Sequence, residues 1–238
     1  MSRPCYALPM FFAPFLIIYG ILLALVLGFV FVLVEIGIIH YAFQMVGLPP
    51  ELAFLALLAS LLGSYINIPL TRIHGGPLHP VEVVNRFGVS YRLPTRYASN
   101  SSTTLAINFG GAIVPILISL YVLSVQPGAI LPALCGIVIV GAVVHRFARP
   151  VRGLGIAMPM FIPPIVAALT AWLLGGLFAE PHHIDAIAYV GGTLGTLLGA
   201  DILNLRKVSD LGAPVASIGG AGTFDGVFLT GIVAVLLA

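Results

Sequence analysis

Long apolar stretches separated by short polar ones make up most of the chain. A helix that crosses a membrane needs about 20 mostly apolar residues, and seven stretches approach or reach this length. They cover about 10–34, 51–70, 105–124, 128–145, 157–178, 185–204 and 215–237. This pattern predicts an all-α, polytopic bundle of seven transmembrane helices that forms a single membrane domain over residues 1–238.

The amino-acid composition supports a membrane location. Hydrophobic residues make up 60% of the chain and charged residues only 8%, whereas soluble domains carry about 25% charged residues. Because so few charges cannot cover a water-exposed surface, we expect a multi-pass protein of the plasma (inner) membrane whose main partner is the lipid bilayer. The net charge of +2 gives no indication of a nucleic-acid partner.

The basic residues predict the orientation of the bundle. They concentrate in the loops between predicted helices 2 and 3, 4 and 5, and 6 and 7. They are Arg72, Arg86, Arg92, Arg96, Arg146, Arg149, Arg152, Arg206 and Lys207. Because cytoplasmic loops are enriched in Lys and Arg, the N-terminus is predicted to lie inside and the C-terminus outside.

The polar stretch 71–104 is too charged to cross a membrane and is predicted to lie on the cytoplasmic side. Its β-branched runs flank the turn-forming sequence Asn85-Arg86-Phe87-Gly88, which predicts a small β-hairpin. An insertion at this position could gate access to a site from the cytoplasm.

Three short segments recur in the same order, which predicts an internal duplication. The pairs are ALPMFFAP and AMPMFIPP (from Ala7 and Ala157), SLLGSYI and TLLGADI (from Ser60 and Thr196), and INFGGA and ASIGGA (from Ile107 and Ala216). We interpret this as a 3+1+3 plan in which repeat one covers about 7–124, a linker helix about 128–145 and repeat two about 157–238. Because paired helices are four apart in order, both repeats point the same way, about an axis along the membrane normal.

Two carboxylates lie within apolar stretches of the second repeat. Asp201 is near the cytoplasmic end of predicted helix 6, and Asp225 is about ten residues into predicted helix 7, roughly 15 Å along it. The two helices are joined by a short loop and therefore run antiparallel, so the acids are predicted to face each other. An ionisable group at membrane depth costs several kcal/mol and indicates a functional site.

Three kinds of chemistry remain open for this pair. Two carboxylates in contact share one proton and can activate water for attack on a peptide bond, one as general base and the other as general acid. The same pair could instead bind a cation or carry a proton in a transporter. In the third interpretation, Asp201 reaches the interface and Asp225 bonds to neighbouring polar groups. None of the three requires a cofactor or a metal.

Small and polar residues surround both acids. Glycines allow helix backbones to approach closely or leave room for a substrate segment, and the first repeat contributes polar side chains at similar depths. The residues expected to support or line the site are Gly199, Asn204, Gly219, Gly220, Gly222, Gly226, Tyr65, Asn67 and Asn108.

The sequence GTFDGVF, residues 222–228, resembles the Gly-x-Gly-Asp segment of presenilins and signal peptide peptidases. Asp201-Ile202 resembles the Tyr-Asp pair of the preceding helix in those families. The resemblance implies an intramembrane aspartyl protease with Asp201 and Asp225 as catalytic residues. The chain departs from the pattern, since Phe224 replaces the second glycine, Ala200 replaces the tyrosine, and no Pro-Ala-Leu helix follows.

The segments INIPL, NFGGAIVP and GGAGTFDG resemble a family of small prokaryotic multi-pass membrane proteins with no assigned function. The sequence therefore leaves three functions open. The first is an intramembrane aspartyl protease that cuts membrane-embedded peptide segments. The second is a small-solute, cation or proton-coupled transporter with an Asp-lined site between the repeats, and the third is a non-catalytic subunit of a membrane complex.

Overall fold

A computed structural model describes residues 13–74, 85–86, 89–90, 102–151, 155–178, 181–208, 215–220 and 226–238. Most of these residues are helical, and seven of the helices have 12 or more residues. They are α1 (Ala13–Met45), α2 (Pro50–Gly63), α3 (Val114–Val125), α4 (Ile130–Phe147), α5 (Ile162–Leu177), α6 (Ile184–Thr196) and α8 (Gly226–Leu237), and α7 (Leu205–Val208) is a single turn. The described part thus has the predicted seven main helices.

Three helical segments are long and apolar enough to cross a membrane: Ile17–Met45, Pro127–Phe147 and Ile184–Lys207. The other apolar helices have 10 to 17 residues. These apolar helices fit a membrane protein, as the composition indicated.

A small sheet corrects the all-α prediction. β1 (Asn67–His74), β4 (Ser102–Asn108) and β7 (Val215–Ile218) form it in the order β1-β4-β7. β4 runs antiparallel to β1 and parallel to β7. Two short pairs lie outside it. They are β2 (Asn85–Arg86) with β3 (Val89–Ser90), and β5 (Arg149–Val151) with β6 (Gly155–Ala157).

The sheet takes its strands from three stretches that were predicted to be entirely helical, 51–70, 105–124 and 215–237. Pro69 lacks an N–H and disfavours a helix interior, and α2 ends before it at Gly63. After β7, Gly219 has a φ of +78°, which interrupts any helix beginning at 215. A short apolar run alone does not distinguish a buried strand from a buried helix.

The hairpin predicted around Asn85 is present in the four residues described there. Asn85 lies opposite Ser90 and Arg86 opposite Val89 in an antiparallel pair. Residues 81–84, 87–88 and 91–93 lie outside the described part, so the antiparallel pairing of these four residues is what is confirmed.

Helix α6 forms the centre of the bundle and packs against α3, α4, α5 and α8. Small residues allow these close contacts. A Cβ added to Gly195 of α6 would lie 2.8 Å from Cβ of Val140 in α4, and one added to Gly231 of α8 would overlap Cγ2 of Thr193. The packing of α6 therefore depends on glycines at the crossing points.

We expect Gly231→Ala to lower the thermal stability of the protein in detergent. Alanine gains about 1 kcal/mol over glycine in helix propensity, but overlap in a tight core costs about 1–3 kcal/mol. Gly176→Ala is the matched control, because an added Cβ there meets nothing within 4 Å. Its unfolding temperature should stay the same or rise slightly. Equal unfolding temperatures for the two variants would contradict the tight α6–α8 contact.

Helix α1 is packed only near its end. Ile39, Ala42, Phe43 and Val46 are buried, whereas all residues from 17 to 38 are exposed. The rest of the chain therefore leaves most of α1 uncovered.

Candidate functional site

Asp201 ends a π-helical turn, Leu197–Asp201, that continues α6. Its side chain is half-buried, and its Oδ2 accepts a hydrogen bond of 2.7 Å from the backbone N–H of Gly219. Hydrogen bonds to a charged carboxylate are stronger than those between neutral groups. This bond connects the end of α6 to the turn that follows β7.

The turn at Gly219 requires a glycine for two reasons. Its φ of +78° is a conformation that other residues rarely adopt, and a Cβ there would lie 2.6 Å from Cβ of Ala112. Gly220 also has a positive φ, of +89°. The glycine pair therefore directs the N–H of Gly219 towards Asp201.

Asp225 lies outside the described residues, as does Gly222, so the predicted contact between Asp201 and Asp225 stays a prediction. The structure does correct the expected helix boundary. Helix α8 begins at Gly226, not near residue 215. Asp225 therefore directly precedes the first residue of α8 instead of lying ten residues along it.

The packing of α6 on α8 shows their relative direction. A Cβ on Gly192 would lie 3.4 Å from Cγ2 of Thr230, and one on Gly231 would contact Thr193 and Tyr189. Leu197, directly after α6, shares a buried cluster with Val227 at the beginning of α8, whereas Gly231, farther along α8, faces residues earlier in α6. The two helices therefore run antiparallel. The beginning of α8 and the Asp201 turn are therefore at the same end of the bundle.

Asn67 and Asn108 from the first predicted repeat hold the sheet together. Nδ2 of buried Asn108 donates to the Ser64 carbonyl (2.6 Å) and to Oδ1 of Asn67 (3.1 Å), and its Oδ1 accepts from the N–H of Gly111 (2.7 Å). Ser217 Oγ also donates to Oδ1 of Asn67, at 2.6 Å. These bonds connect β1, β4 and β7 beside the turn that binds Asp201.

Three other predicted residues have different surroundings. Tyr65 is 74% exposed. Gly199 faces α4, where a Cβ would overlap the carbonyl oxygen of Gly141. At Gly226, an added Cβ meets nothing within 4 Å. Of these, Gly199 supports the packing of the helix that carries Asp201.

Asn204 is fully buried just beyond Asp201. Its Nδ2 lies 3.1 Å from the Gly199 carbonyl oxygen and 3.0 Å from that of Ala200, and its Oδ1 accepts from Lys207 Nζ at 2.9 Å. Nδ1 of His145, in the last turn of α4, lies 3.3 Å from the Gly199 oxygen and 3.2 Å from Asn204 Nδ2. These five side-chain contacts lie around the π-helical turn.

Sequence reasoning missed His145, Lys207 and Ser217 as part of this region. The repeat alignment contained a signal for Ser217, because it pairs this residue with Asn108. No such signal marked His145, which stands among apolar residues at a helix end. Among the described residues, no group of three or more His, Cys, Asp or Glu could hold a metal ion.

Comparison with known proteins gives one result at the level of a family. No curated protein and no solved structure matches the chain. One family model matches residues 61–237, a range that includes Asp201 and Asp225 and excludes α1. The chain belongs to the DUF1614 family of proteins of unknown function.

Proposed function

We propose that this protein is an intramembrane aspartyl hydrolase that cuts peptide bonds in membrane-embedded segments, with Asp201 and Asp225 as the catalytic pair. The observation that carries the proposal is the bond between Asp201 and the N–H of Gly219. Gly219 precedes Asp225 by six residues, and Asp225 directly precedes α8. The carboxylate of Asp201 is thus bonded to the segment that leads to the second acid.

The register of α6 and α8 supports this pairing. Gly192 faces Thr230 and Ala234, Gly231 faces Tyr189 and Thr193, and Leu197 shares a buried cluster with Val227. Extending either glycine contact at 1.5 Å per residue puts the start of α8 within about 5–8 Å of the level of Asp201 along the helix axis. Glycine contacts also keep the two axes close. The proposal requires the two carboxyl groups to reach each other across this helix contact and to share one proton.

The proposed chemistry follows from such a pair. One carboxylate takes a proton from water as the water attacks the peptide carbonyl, and the other carboxyl group donates a proton to the carbonyl oxygen. The Gly219 N–H holds the carboxylate of Asp201 in one orientation. The carboxyl group that took the proton from water then donates it to the amine nitrogen, and the C–N bond breaks. The other carboxylate takes a proton from a hydroxyl group of the intermediate as the carbonyl re-forms, which restores the pair.

The sheet supports a peptide as the substrate. In the described part of the chain, β7 pairs with β4 along one edge, and no strand pairs with its other edge. An open edge offers backbone N–H and C=O groups that can bind an extended peptide as an added strand. β7 leads directly into the Gly219 turn, so a peptide on this edge would lie beside Asp201.

A transporter is the second candidate, and one observation favours it. β4 belongs to the first proposed repeat and β7 to the second, and they pair in parallel. Rotation about an axis that runs along a strand leaves the direction of that strand unchanged. Parallel pairing of β4 with β7 therefore supports two parallel repeats that meet at the sheet. The polar side chains at this junction, Asn67, Asn108 and Ser217, bond to one another, which leaves them less able to bind a solute or cation. We therefore place hydrolysis first, with a structural subunit third.

The proposed orientation, with the N-terminus in the cytoplasm, predicts opposite labelling at the two ends of the bundle. Arg149 and His182 are both exposed, so either can be replaced by cysteine in a background that lacks Cys5 and Cys135. In intact cells, a membrane-impermeant thiol reagent should label His182→Cys and leave Arg149→Cys unlabelled until the cells are opened. The reverse pattern would invert the orientation.

A further inference from the structure

The turn that carries Asp201 is irregular, and buried side chains surround it. The chain changes from the α-helix α6 to the π-helical turn Leu197–Asp201 and then to a 3₁₀ turn, Ile202–Asn204. Each change alters the spacing of backbone hydrogen bonds, and carbonyl groups at such points often bond to side chains instead. The carbonyls of Gly199 and Ala200 lie at this point.

Asn204 donates hydrogen bonds to both of these carbonyls through one buried amide group. The amide nitrogen has two hydrogens, and the two carbonyl oxygens account for both. Lys207 fixes the other end of the amide by donating to its Oδ1. The Asn204 side chain is therefore held in one orientation, with its donors directed at the residues immediately before Asp201.

Helix α4 holds the same turn beside Asn204, since His145 Nδ1 lies 3.2 Å from Asn204 Nδ2. Because both hydrogens of Asn204 Nδ2 are engaged, His145 Nδ1 fits best as a second donor to the Gly199 carbonyl, 3.3 Å away. The backbones of Gly199 and Gly141 are so close that a Cβ on Gly199 would overlap the Gly141 carbonyl oxygen. The turn can therefore move little towards α4 while Asn204 keeps its bonds.

We propose that Asn204 is a positioning residue for Asp201. It acts through the Gly199 and Ala200 carbonyls to hold the π-helical turn in the one rotation that directs Oδ2 of Asp201 at the Gly219 N–H. A role in catalysis rests on the proposed function, but the orientation of Asp201 can be measured without any catalysis.

The test uses the full chain in lipid vesicles and labels carboxyl groups with dicyclohexylcarbodiimide, which modifies protonated carboxyl groups in apolar surroundings. Mass spectrometry measures the modified fraction of Asp201 across a range of pH. In Asn204→Leu, both donors are lost, the turn rotates and the bond from Gly219 breaks. Loss of a hydrogen bond to a charged group corresponds to about a tenfold change in protonation. Asp201 should therefore be labelled about tenfold faster at neutral pH, and its labelling curve should move towards higher pH.

Gln126→Met is the matched control. Gln126 also donates from a side-chain amide to a backbone carbonyl, that of Val46 (2.8 Å), and its Oε1 also has a histidine beside it, His183. It lies at the opposite end of the bundle. This variant loses a comparable bond, so it should destabilise the protein without changing the labelling of Asp201.

A second variant covers the case in which Asn204→Leu does not fold. Lys207 is exposed, and Lys207→Met removes only the bond that orients the amide of Asn204. We expect labelling of Asp201 to rise by about threefold, less than a full hydrogen bond would give. Unchanged labelling of Asp201 in both variants would overturn the proposal. If Asn204→Leu does not fold, unchanged labelling in Lys207→Met alone would overturn it. Changed labelling in a protein that never cuts peptides would support Asn204 and reject the proposed hydrolysis.

Discussion

Replacing Asp201 or Asp225 by asparagine should abolish cleavage of a membrane-spanning peptide by the purified protein. Groups that act as one catalytic unit are not additive, so Asp201→Asn, Asp225→Asn and the double variant should all lose at least about 10⁴-fold in rate. Folding should survive, because a neutral amide is no harder to bury than a charged carboxylate. Rates are measured with a fluorescent transmembrane peptide in vesicles.

Asp185→Asn is the control for this experiment. Asp185 lies in the first turn of α6, at the opposite end from Asp201, and should keep full activity. Purified protein that binds helical peptides but never cuts them, at any pH or in any lipid, would reject the protease. In that case, solute or proton flux that depends on Asp225 in vesicles would indicate a transporter, and no flux would leave a structural subunit.

Gly219→Ala should be the most damaging single change outside the two acids. Alanine at a φ of +78° costs about 1–2 kcal/mol, and its Cβ would lie 2.6 Å from Cβ of Ala112. The turn has to shift, and the N–H then no longer reaches Asp201. We expect a lower unfolding temperature together with a loss of cleavage of about 100-fold, because an incorrectly placed catalytic group loses most of its effect.

Gly47→Ala is the control that separates the loss of the Gly219–Asp201 bond from a general loss of stability. Gly47 has a φ of +93° and a side-chain atom of Gln126 within 3.1 Å of an added Cβ. It lies between α1 and α2, at the opposite end from Asp201. This variant carries the same backbone penalty of about 1–2 kcal/mol without a clash against backbone atoms, so it should be destabilised less than Gly219→Ala and keep its cleavage rate when folded. Equal loss of cleavage in both variants would show that the Gly219 turn has no specific role.

The number of helices was predictable from the sequence, because long apolar runs in a chain with 8% charged residues have few other structures available. The sheet was not. Its strands lie inside or beside those same runs, and their partners are distant in sequence, since β7 pairs with β4 about 110 residues earlier. The apolar character of a stretch predicts that it is buried, but it does not show which strand it will pair with.

The candidate site shows the same division. Asp201 stood out because a carboxylate within an apolar stretch is rare, but its bond to Gly219 depends on a positive φ that the sequence does not reveal. The repeat alignment paired Tyr65 with Asp201, but an alignment does not show where a side chain points. The Tyr65 side chain is exposed, whereas Asp201 is half-buried. Asn204 was a candidate for its location alone, and its bonds depend on the π-helical turn.

The unequal helix lengths have a consequence for the surrounding membrane. α1 has 33 residues and is about 50 Å long, whereas α8 has 12 residues and is about 18 Å long. The hydrocarbon core of a bilayer is about 30 Å thick. In the proposed multi-pass bundle, α1 would have to tilt, and the bilayer around α8 would have to thin or be crossed partly by β7 and the Gly219 turn. Such a hydrophobic mismatch would bring the headgroup layer, and the water within it, close to Asp201.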